Sequence, residues 1–218
     1  YPAETAFDLS LGGTSWMEFI ASKGYDVWLV DLRGYGKSTR PEEMNQPADQ
    51  NPPIVRTDVA VRDVSSAVDF ILKKRNISKT NLLGWSWGTT IMGKYTTLNN
   101  NKVNKLVLYA PQWLRQGGAP LTDKGGNLGA YRVVSITDAK NRWLTGVPEN
   151  ARDTLIPQGW FEKWSEATFD TDPWGRTQTP KKLRAPNGTV QDAREFWTAG
   201  IPVYNPQDIR VQIGRAHV

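Results

Sequence analysis

The feature that most constrains the fold of this chain is the pentapeptide Gly84-Trp85-Ser86-Trp87-Gly88, which fits the pattern G-x-S-x-G. Residues 79–84 predict a short strand that ends in the first glycine, and residues 89–98 predict a helix after the second. A serine at such a junction sits on a sharp turn with a strained backbone, and small flanking residues let strand and helix approach closely. The pattern therefore predicts a βα unit with an exposed serine hydroxyl at its apex.

Further strands and helices alternate along the chain. Residues 25–31 and 105–110 are short, mostly apolar runs that predict buried strands, and residues 209–213 predict the start of another. Residues 15–23 predict a helix from a capping serine followed three residues later by glutamate. Residues 57–75 predict a longer helix from their apolar periodicity. Strands that alternate with helices indicate βαβ units and a parallel sheet, so the predicted fold class is α/β.

The chemistry expected of the pentapeptide follows from its turn. The hydroxyl of Ser86 is exposed at the positive end of the following helix, which suits a nucleophile. The backbone N–H of Trp87 is placed to donate to the oxyanion of a tetrahedral intermediate. Gly84, Trp85 and Gly88 complete the turn. The alternative is a structural serine in a βα connection, without a chemical role.

A second motif, Asp31-Leu32-Arg33-Gly34-Tyr35-Gly36-Lys37-Ser38, follows the strand predicted over residues 25–31. With the pentapeptide, it resembles the α/β-hydrolase superfamily, in particular lid-bearing members of the esterase and lipase type with a serine nucleophile. The resemblance implies a partial α/β-hydrolase fold, with a mostly parallel sheet flanked by helices and a helical cap insertion. It also implies that this loop is structural, so Asp31 and Arg33 are not expected to be catalytic.

Two other interpretations of this loop fail on spacing. Gly36-Lys37-Ser38 is similar to the end of a phosphate-binding P-loop, which requires a glycine where Asp31 stands. Gly34 and Gly36 are similar to the start of a dinucleotide-binding fingerprint, whose third glycine falls on Thr39. We therefore predict no cofactor, and no metal site is predicted either.

The resemblance implies four segments. Residues 1–111 are the partial hydrolase core, residues 112–200 a helical cap or lid, residues 201–212 a return to the core, and residues 213–218 a tail. No strand is predicted in the cap. Its aromatic side chains are expected either to line an apolar cleft or to serve as packing. Six tryptophans lie in this segment: Trp113, Trp143, Trp160, Trp164, Trp174 and Trp197.

The sequence offers no evident base or acid to partner the serine nucleophile. The only histidine, His217, lies in the tail, and residues 213–218 resemble one translated frame of a common short-read sequencing adapter, as in a metagenomic sequence. Asp192 and Glu195 lie in the cap and Asp208 precedes the last predicted strand, so none is expected to be the acid of a catalytic triad. We therefore expect a fragment, truncated at both ends and inactive by itself.

The resemblance also implies an element before the first residue. In this family a His-Gly motif follows an earlier strand and supplies a second oxyanion N–H, and residues 1–7 are similar to the loop after that motif. The expected lost strand lies in the sheet between the strands predicted over residues 25–31 and 79–84, and its loss removes the hydrogen-bonded neighbour that these two strands would share in mid-sheet.

Composition argues against several other classes of protein. The net charge of +5 comes from scattered basic residues, and the short runs at residues 73–75 and 181–184 are predicted to be solvated surface, so no nucleic-acid partner is expected. No apolar run approaches the roughly 18 residues of a membrane span. The chain has no cysteine, which excludes a disulfide and a thiol nucleophile but leaves the compartment open, with a cytoplasmic location slightly favoured. The oligomeric state is not predicted.

The function implied by the resemblance is that of a serine hydrolase. It would cleave an ester or related acyl substrate, a small molecule with an apolar part, through an acyl-enzyme on Ser86. An acyltransferase or a carbon–carbon bond hydrolase on the same fold also uses serine, so both stay open. Epoxide hydrolases and haloalkane dehalogenases are disfavoured, because the resemblance gives them an aspartate nucleophile. A non-catalytic binding protein on the same fold is the remaining alternative.

Overall fold

The structure is a computed structural model that describes residues 1–115, 123 and 125–216. Its helices are α1 (Ala3–Phe7), α2 (Trp16–Ala21), α3 (Thr57–Arg75), α4 (Trp87–Leu98), α5 (Ile136–Trp143), α6 (Arg152–Leu155), α7 (Trp160–Phe169) and α8 (Gly188–Asp192). Its strands are β1 (Thr80–Trp85), β2 (Val103–Tyr109), β3 (Tyr131–Ser135), β4 (Lys182–Pro186) and β5 (Gln212–Ala216). A π-helical segment, Ala193–Trp197, follows α8. Short 3₁₀ turns span Glu42–Asn45, Ala48–Gln50, Glu149–Ala151, Gly175–Thr177 and Pro206–Asp208.

The chain forms two compact units. The N-terminal unit consists of Tyr1–Gln46 and Tyr131–Ala185, and the sheet unit consists of Pro47–Ala130 and Pro186–Val218. The predicted core and the predicted cap each contribute residues to both units, and the boundaries of those segments stay a prediction.

The sheet unit contains a parallel three-stranded sheet in the order β1-β2-β5. Leu83 of β1 lies opposite Val107 of β2, and Leu106 of β2 lies opposite Ile213 of β5. Helix α4 connects β1 to β2 and packs on both, so these three elements form a βαβ unit. The predicted α/β class with a mostly parallel sheet is confirmed. The proposed adapter origin of residues 213–218 stays a prediction, because strand pairing does not test it.

Helix α3 has the bounds that its apolar periodicity predicts. Val61, Val64 and Val68 recur at helical spacing on its buried face. The helix ends because Asn76 adopts φ 51° and ψ 47°, a left-handed conformation that turns the chain away. The basic residues 73–75 lie in the exposed last turn, as predicted, where cations are favoured by the helix dipole.

The N-terminal unit follows the prediction through α2 and departs from it afterwards. Ser15 and Glu18 form the predicted capping box: the Ser15 hydroxyl accepts from the Glu18 N–H at 3.0 Å, and the Glu18 carboxylate accepts from the Ser15 N–H at 2.6 Å. Residues 25–31, predicted as a strand, have no strand structure, and Tyr25 is 59% exposed. A strand requires a hydrogen-bonded neighbour, and the described part of the chain provides none for this segment.

Aromatic side chains build a core within the N-terminal unit. The ring of Trp164, itself buried, lies 4.7 Å from that of Trp143 and 5.8 Å from that of Phe161, centroid to centroid. Phe169 and Leu183 are buried in the same cluster. Two of the six tryptophans of the predicted cap therefore serve as packing.

Two strands lie in residues 112–200, where none is predicted. Strands β3 and β4 pair with each other, and β4 includes the basic run predicted to be solvated surface. That prediction is wrong for Arg184, which is only 6% exposed. Its guanidinium donates to both carboxylate oxygens of buried Asp172, at 2.7 and 3.0 Å, and also to the Met44 carbonyl oxygen. A buried carboxylate and carbonyl together satisfy the donors of this arginine, which is what allows it to enter the interior.

Candidate active site

Ser86 is the single residue between β1 and α4, and its backbone conformation is strained. Its φ of 53° and ψ of −121° lie outside the regions that residues with a side chain favour. The Ser86 N–H donates to the Tyr109 carbonyl oxygen at 3.1 Å, which continues the β1–β2 pairing, and the Ser86 carbonyl oxygen accepts from Thr89 N–H at 2.9 Å and from its hydroxyl at 2.6 Å. These bonds fix both sides of the turn, so the strain is maintained by the surrounding structure.

The close approach of β1 and α4 requires glycine at only one of the two glycine positions. A Cβ added to Gly84 would lie 2.3 Å from the Gly88 carbonyl oxygen and 2.8 Å from the Thr89 nitrogen, so only glycine fits there. A Cβ added to Gly88 would meet nothing within 4 Å. The sequence pattern treats both glycines alike, whereas the geometry requires only the first.

The tryptophans beside Ser86 have different surroundings. Trp87 begins α4, where a backbone N–H has no acceptor within the helix, and its indole N–H donates to the Thr57 hydroxyl at 3.2 Å. Trp85 is 41% exposed, and its ring stacks against Tyr109 with centroids 6.4 Å apart. The backbone N–H of Trp87 is therefore next to the serine and is not used by the helix itself.

Gln112 reaches the serine hydroxyl and is not among the predicted site residues. Its side-chain Nε2 donates to Ser86 Oγ at 3.2 Å, and its backbone N–H donates to the Thr89 hydroxyl at 3.0 Å. The signal that locates it is topological: Gln112 follows β2, and the carboxyl ends of parallel strands meet at one edge of a sheet. A polar residue just after the strand next to β1 is thus a candidate neighbour of Ser86.

Two of the three carboxylates rejected as a triad acid have structural contacts, and the third is exposed. Asp192 is 1% exposed, and it accepts from the Thr57 N–H and from Arg56 Nε, both at 2.6 Å, which caps the first turn of α3. Glu195 accepts from the same guanidinium, and that hydrogen bond lowers the pKa of Glu195. Asp208 lies exposed in a 3₁₀ turn. His217 lies outside the described residues.

The Asp31 carboxylate holds the loop of the second motif, residues 31–38, through hydrogen bonds. This carboxylate accepts from the backbone N–H of Ala3 at 2.7 Å and from that of Lys37 at 3.3 Å. Gly36 has φ +52°, and a Cβ there would lie 1.8 Å from Asp31 Oδ2. These contacts within the N-terminal unit give Asp31 the structural role that the resemblance implies.

The described residues also bear on metal binding and on membrane insertion. No group of three or more His, Cys, Asp or Glu side chains is arranged to hold a metal ion in that part of the chain. No described helix is both long and apolar enough to cross a membrane.

Comparison with known proteins identifies relatives. The sequence model of the alpha/beta hydrolase fold family matches residues 9–200. Two proteins of Schizosaccharomyces pombe, both named probable lipases, are 32% identical over 102 residues and 30% identical over 95 residues. These alignments cover 45% and 42% of this chain but only 23% and 20% of the two yeast proteins. The chain thus spans less than a quarter of the length of either relative.

A solved structure is similar over most of the chain. It is a methylesterase from Arabidopsis, with a TM-score of 0.51 and 14% sequence identity. The similarity covers 91% of this chain and 67% of the methylesterase. At this identity the likeness concerns the fold alone.

Proposed function

The chain belongs to the α/β-hydrolase fold family, and we propose that its Ser86 is the nucleophile of a serine hydrolase acting on an ester or related acyl compound. The observation that carries this proposal is the strained backbone of Ser86, held at φ 53° between β1 and α4. Strain of this kind costs roughly 1–3 kcal/mol and has no evident structural benefit at a βα turn, whereas it holds a hydroxyl clear of the sheet for attack.

The proposed reaction proceeds through a covalent intermediate. Ser86 Oγ attacks the carbonyl carbon while its proton passes to a general base, and the carbonyl oxygen becomes an oxyanion. The Trp87 N–H donates to that oxyanion. Collapse of the intermediate expels the alcohol, which takes up the proton, and leaves an acyl-serine ester. Water then attacks the acyl carbon, and the acid and free Ser86 are released.

The general base and its acid are proposed to come from other parts of the whole protein. The described residues contain no histidine, and Asp192 is already bound to Arg56 and the start of α3. The yeast relatives extend well beyond the aligned segment, which is consistent with catalytic groups supplied elsewhere. On this proposal the 218 residues by themselves do not turn over substrate.

The substrate is proposed to be a small molecule with an apolar part. The exposed ring of Trp85 adjoins the nucleophile in sequence, and such a surface favours an alkyl or aromatic group over a charged one. The names of the two yeast relatives, probable lipases, agree with an ester substrate.

The test is made on the whole protein with a fluorophosphonate probe and short p-nitrophenyl esters. Wild type and Ser66→Ala, a matched substitution on helix α3, are expected to be labelled and to release nitrophenol, whereas Ser86→Ala does neither. Labelling that survives Ser86→Ala would refute Ser86 as the nucleophile. A binding protein on this fold is the conclusion if no variant, including wild type, reacts. Added alcohols separate acyl transfer from hydrolysis, because a transferase forms a new ester.

A further inference from the structure

The nitrogen and the oxygen of the Gln112 carboxamide differ in their hydrogen bonding. Nε2 donates to Ser86 Oγ at 3.2 Å. Oε1 is shielded from solvent and has no hydrogen-bond partner among the described residues. A buried carbonyl oxygen without a donor is unfavourable, because folding has removed the water that would otherwise bind it. Such an atom beside a nucleophile indicates a donor that arrives with a ligand.

The position of Gln112 is fixed by the same turn that strains Ser86. The Thr89 hydroxyl donates to the Ser86 carbonyl oxygen at 2.6 Å and accepts from the Gln112 N–H at 3.0 Å. Thr89 is buried, and the residue after Gln112, Trp113, packs its ring edge-to-face against Tyr204 at 5.2 Å. Gln112 is therefore anchored on both sides of its own backbone, and its side chain is not a free surface group.

The geometry limits where the missing donor can lie. The oxygen and nitrogen of a carboxamide are about 2.3 Å apart, as their bonds to one carbon require. Since Nε2 is 3.2 Å from Ser86 Oγ, Oε1 lies within about 5.5 Å of the attacking atom. A donor at hydrogen-bond distance from Oε1 thus lies within about 8.5 Å of Ser86 Oγ, so it belongs to the part of the substrate around the carbonyl under attack and not to a distant substituent.

We infer that Gln112 is a specificity-determining residue, whose Oε1 accepts a hydrogen bond from a hydroxyl or amide N–H of the substrate close to the scissile carbonyl. The inference rests on the proposed function and deepens it, since it narrows the substrate class to esters that carry a donor near the reacting centre. A purely apolar acyl ester leaves Oε1 unpaired and binds the transition state less well, because the site keeps a buried acceptor without a donor.

The experiment measures kcat/KM of the whole protein on two matched sets of esters. The first set is the p-nitrophenyl esters of butyrate, 3-hydroxybutyrate and 3-methoxybutyrate. The second set is propyl, 2-hydroxyethyl and 2-methoxyethyl butyrate, which places the hydroxyl on the alcohol side. In wild type, the hydroxyl compound of at least one set is expected to exceed both of its partners by about tenfold or more.

Two variants separate recognition from a structural role. Gln112→Met keeps the length of the side chain but replaces the carboxamide by a thioether, a much weaker acceptor, and we expect the preference for the hydroxyl compound to fall to within about twofold of unity. Gln112→Glu keeps an acceptor oxygen and is expected to retain the preference even where kcat falls. A structural role alone lowers activity on all compounds together and leaves their ratio unchanged.

The outcomes distinguish this inference from the proposed function. Ser86-dependent hydrolysis with the same hydroxyl preference in wild type and Gln112→Met overturns the inference and leaves the proposed function standing. An equal preference for the methoxy compound also overturns it, because an ether oxygen cannot donate. If no ester of either set is cleaved in a Ser86-dependent reaction, the proposed function fails and the inference fails with it.

Discussion

Gly84 approaches Gly88 so closely that a Cβ on the first would lie 2.3 Å from the carbonyl oxygen of the second. The obstacle is backbone, which cannot move aside as the end of a flexible side chain can. We therefore expect Gly84→Ala in the whole protein to lower the free energy of unfolding by about 2 kcal/mol or more and to abolish activity, since the strand and the helix must separate. Chemical denaturation and ester hydrolysis measure the two effects.

Gly88→Ala is the matched control for that substitution. Its Cβ would meet nothing within 4 Å, and alanine is favoured over glycine inside a helix by about 1 kcal/mol. Stability is expected to stay equal or to rise by up to about 1 kcal/mol. Equal losses at the two glycines would contradict the geometry described for this turn.

Asp192 supports the start of α3, and its removal is expected to cost stability. Asp192→Ala leaves the Thr57 N–H and part of the Arg56 guanidinium unpaired, so we expect a loss of about 2–4 kcal/mol in the free energy of unfolding. Asp208→Ala, which changes an exposed carboxylate, is expected to alter stability by less than about 0.5 kcal/mol. If Asp192→Ala instead abolished turnover at unchanged stability, a catalytic role for this acid would have to be reconsidered.

The buried pair of Asp172 and Arg184 predicts a loss of stability in acid. Burial alone would raise the pKa of Asp172, but the hydrogen bonds from Arg184, the charge of its guanidinium and a bond from the Trp174 N–H together lower it. Because the folded pKa lies below the unfolded value of about 3.9, the pair stabilises the fold above that pH. The stabilisation is lost as the pH falls from about 4 through the folded pKa.

Urea denaturation of wild type and Asp172→Asn between about pH 2 and 7 tests this sign. The variant is expected to be less stable at neutral pH by about 2–4 kcal/mol and to show a shallower fall below about pH 4. Asp170→Asn removes an exposed carboxylate bound to Lys181 and serves as the control, with a change of less than about 1 kcal/mol. If the free energy of unfolding fell equally steeply with acid in wild type and in Asp172→Asn, the Asp172–Arg184 pair would be refuted as the source of that loss.

The parts of the fold that sequence patterns predict are those specified locally. Helix α3 is encoded by its own apolar spacing, and the capping box of Ser15 and Glu18 is encoded within four residues. Strand β4 is specified at a distance, because Arg184 enters the interior only when Asp172 accepts its hydrogen bonds. Residues 25–31 are the opposite case. They are strand-forming residues, but a strand also needs a hydrogen-bonded neighbouring strand, which their own sequence does not specify.

The same distinction applies to the site. The turn at Ser86 follows from its flanking strand, helix and glycine, so the pentapeptide predicts its position in the chain. Gln112 carries no motif, and its contact with Ser86 arises because β2 lies beside β1 and ends at the same edge of the sheet. A polar residue directly after Pro111 indicates a neighbour of Ser86 only once the strand order is known.

The strain at Ser86 predicts opposite effects of two substitutions that both remove the nucleophile. Glycine adopts a φ of 53° without a Cβ clash, whereas alanine keeps the strain of the native residue. We expect Ser86→Gly to be more stable than Ser86→Ala by about 1–2 kcal/mol, while neither hydrolyses an ester. Because both variants lack the hydroxyl and its contact with Gln112, the difference reports the backbone strain that glycine relieves, less the roughly 0.4–1 kcal/mol by which glycine favours the unfolded chain. Denaturation curves of the two variants in the whole protein measure it. Equal stabilities would show that the strain relieved at position 86 is no larger than this entropic cost, in which case the bonds to Tyr109 and Thr89 do not impose a large strain.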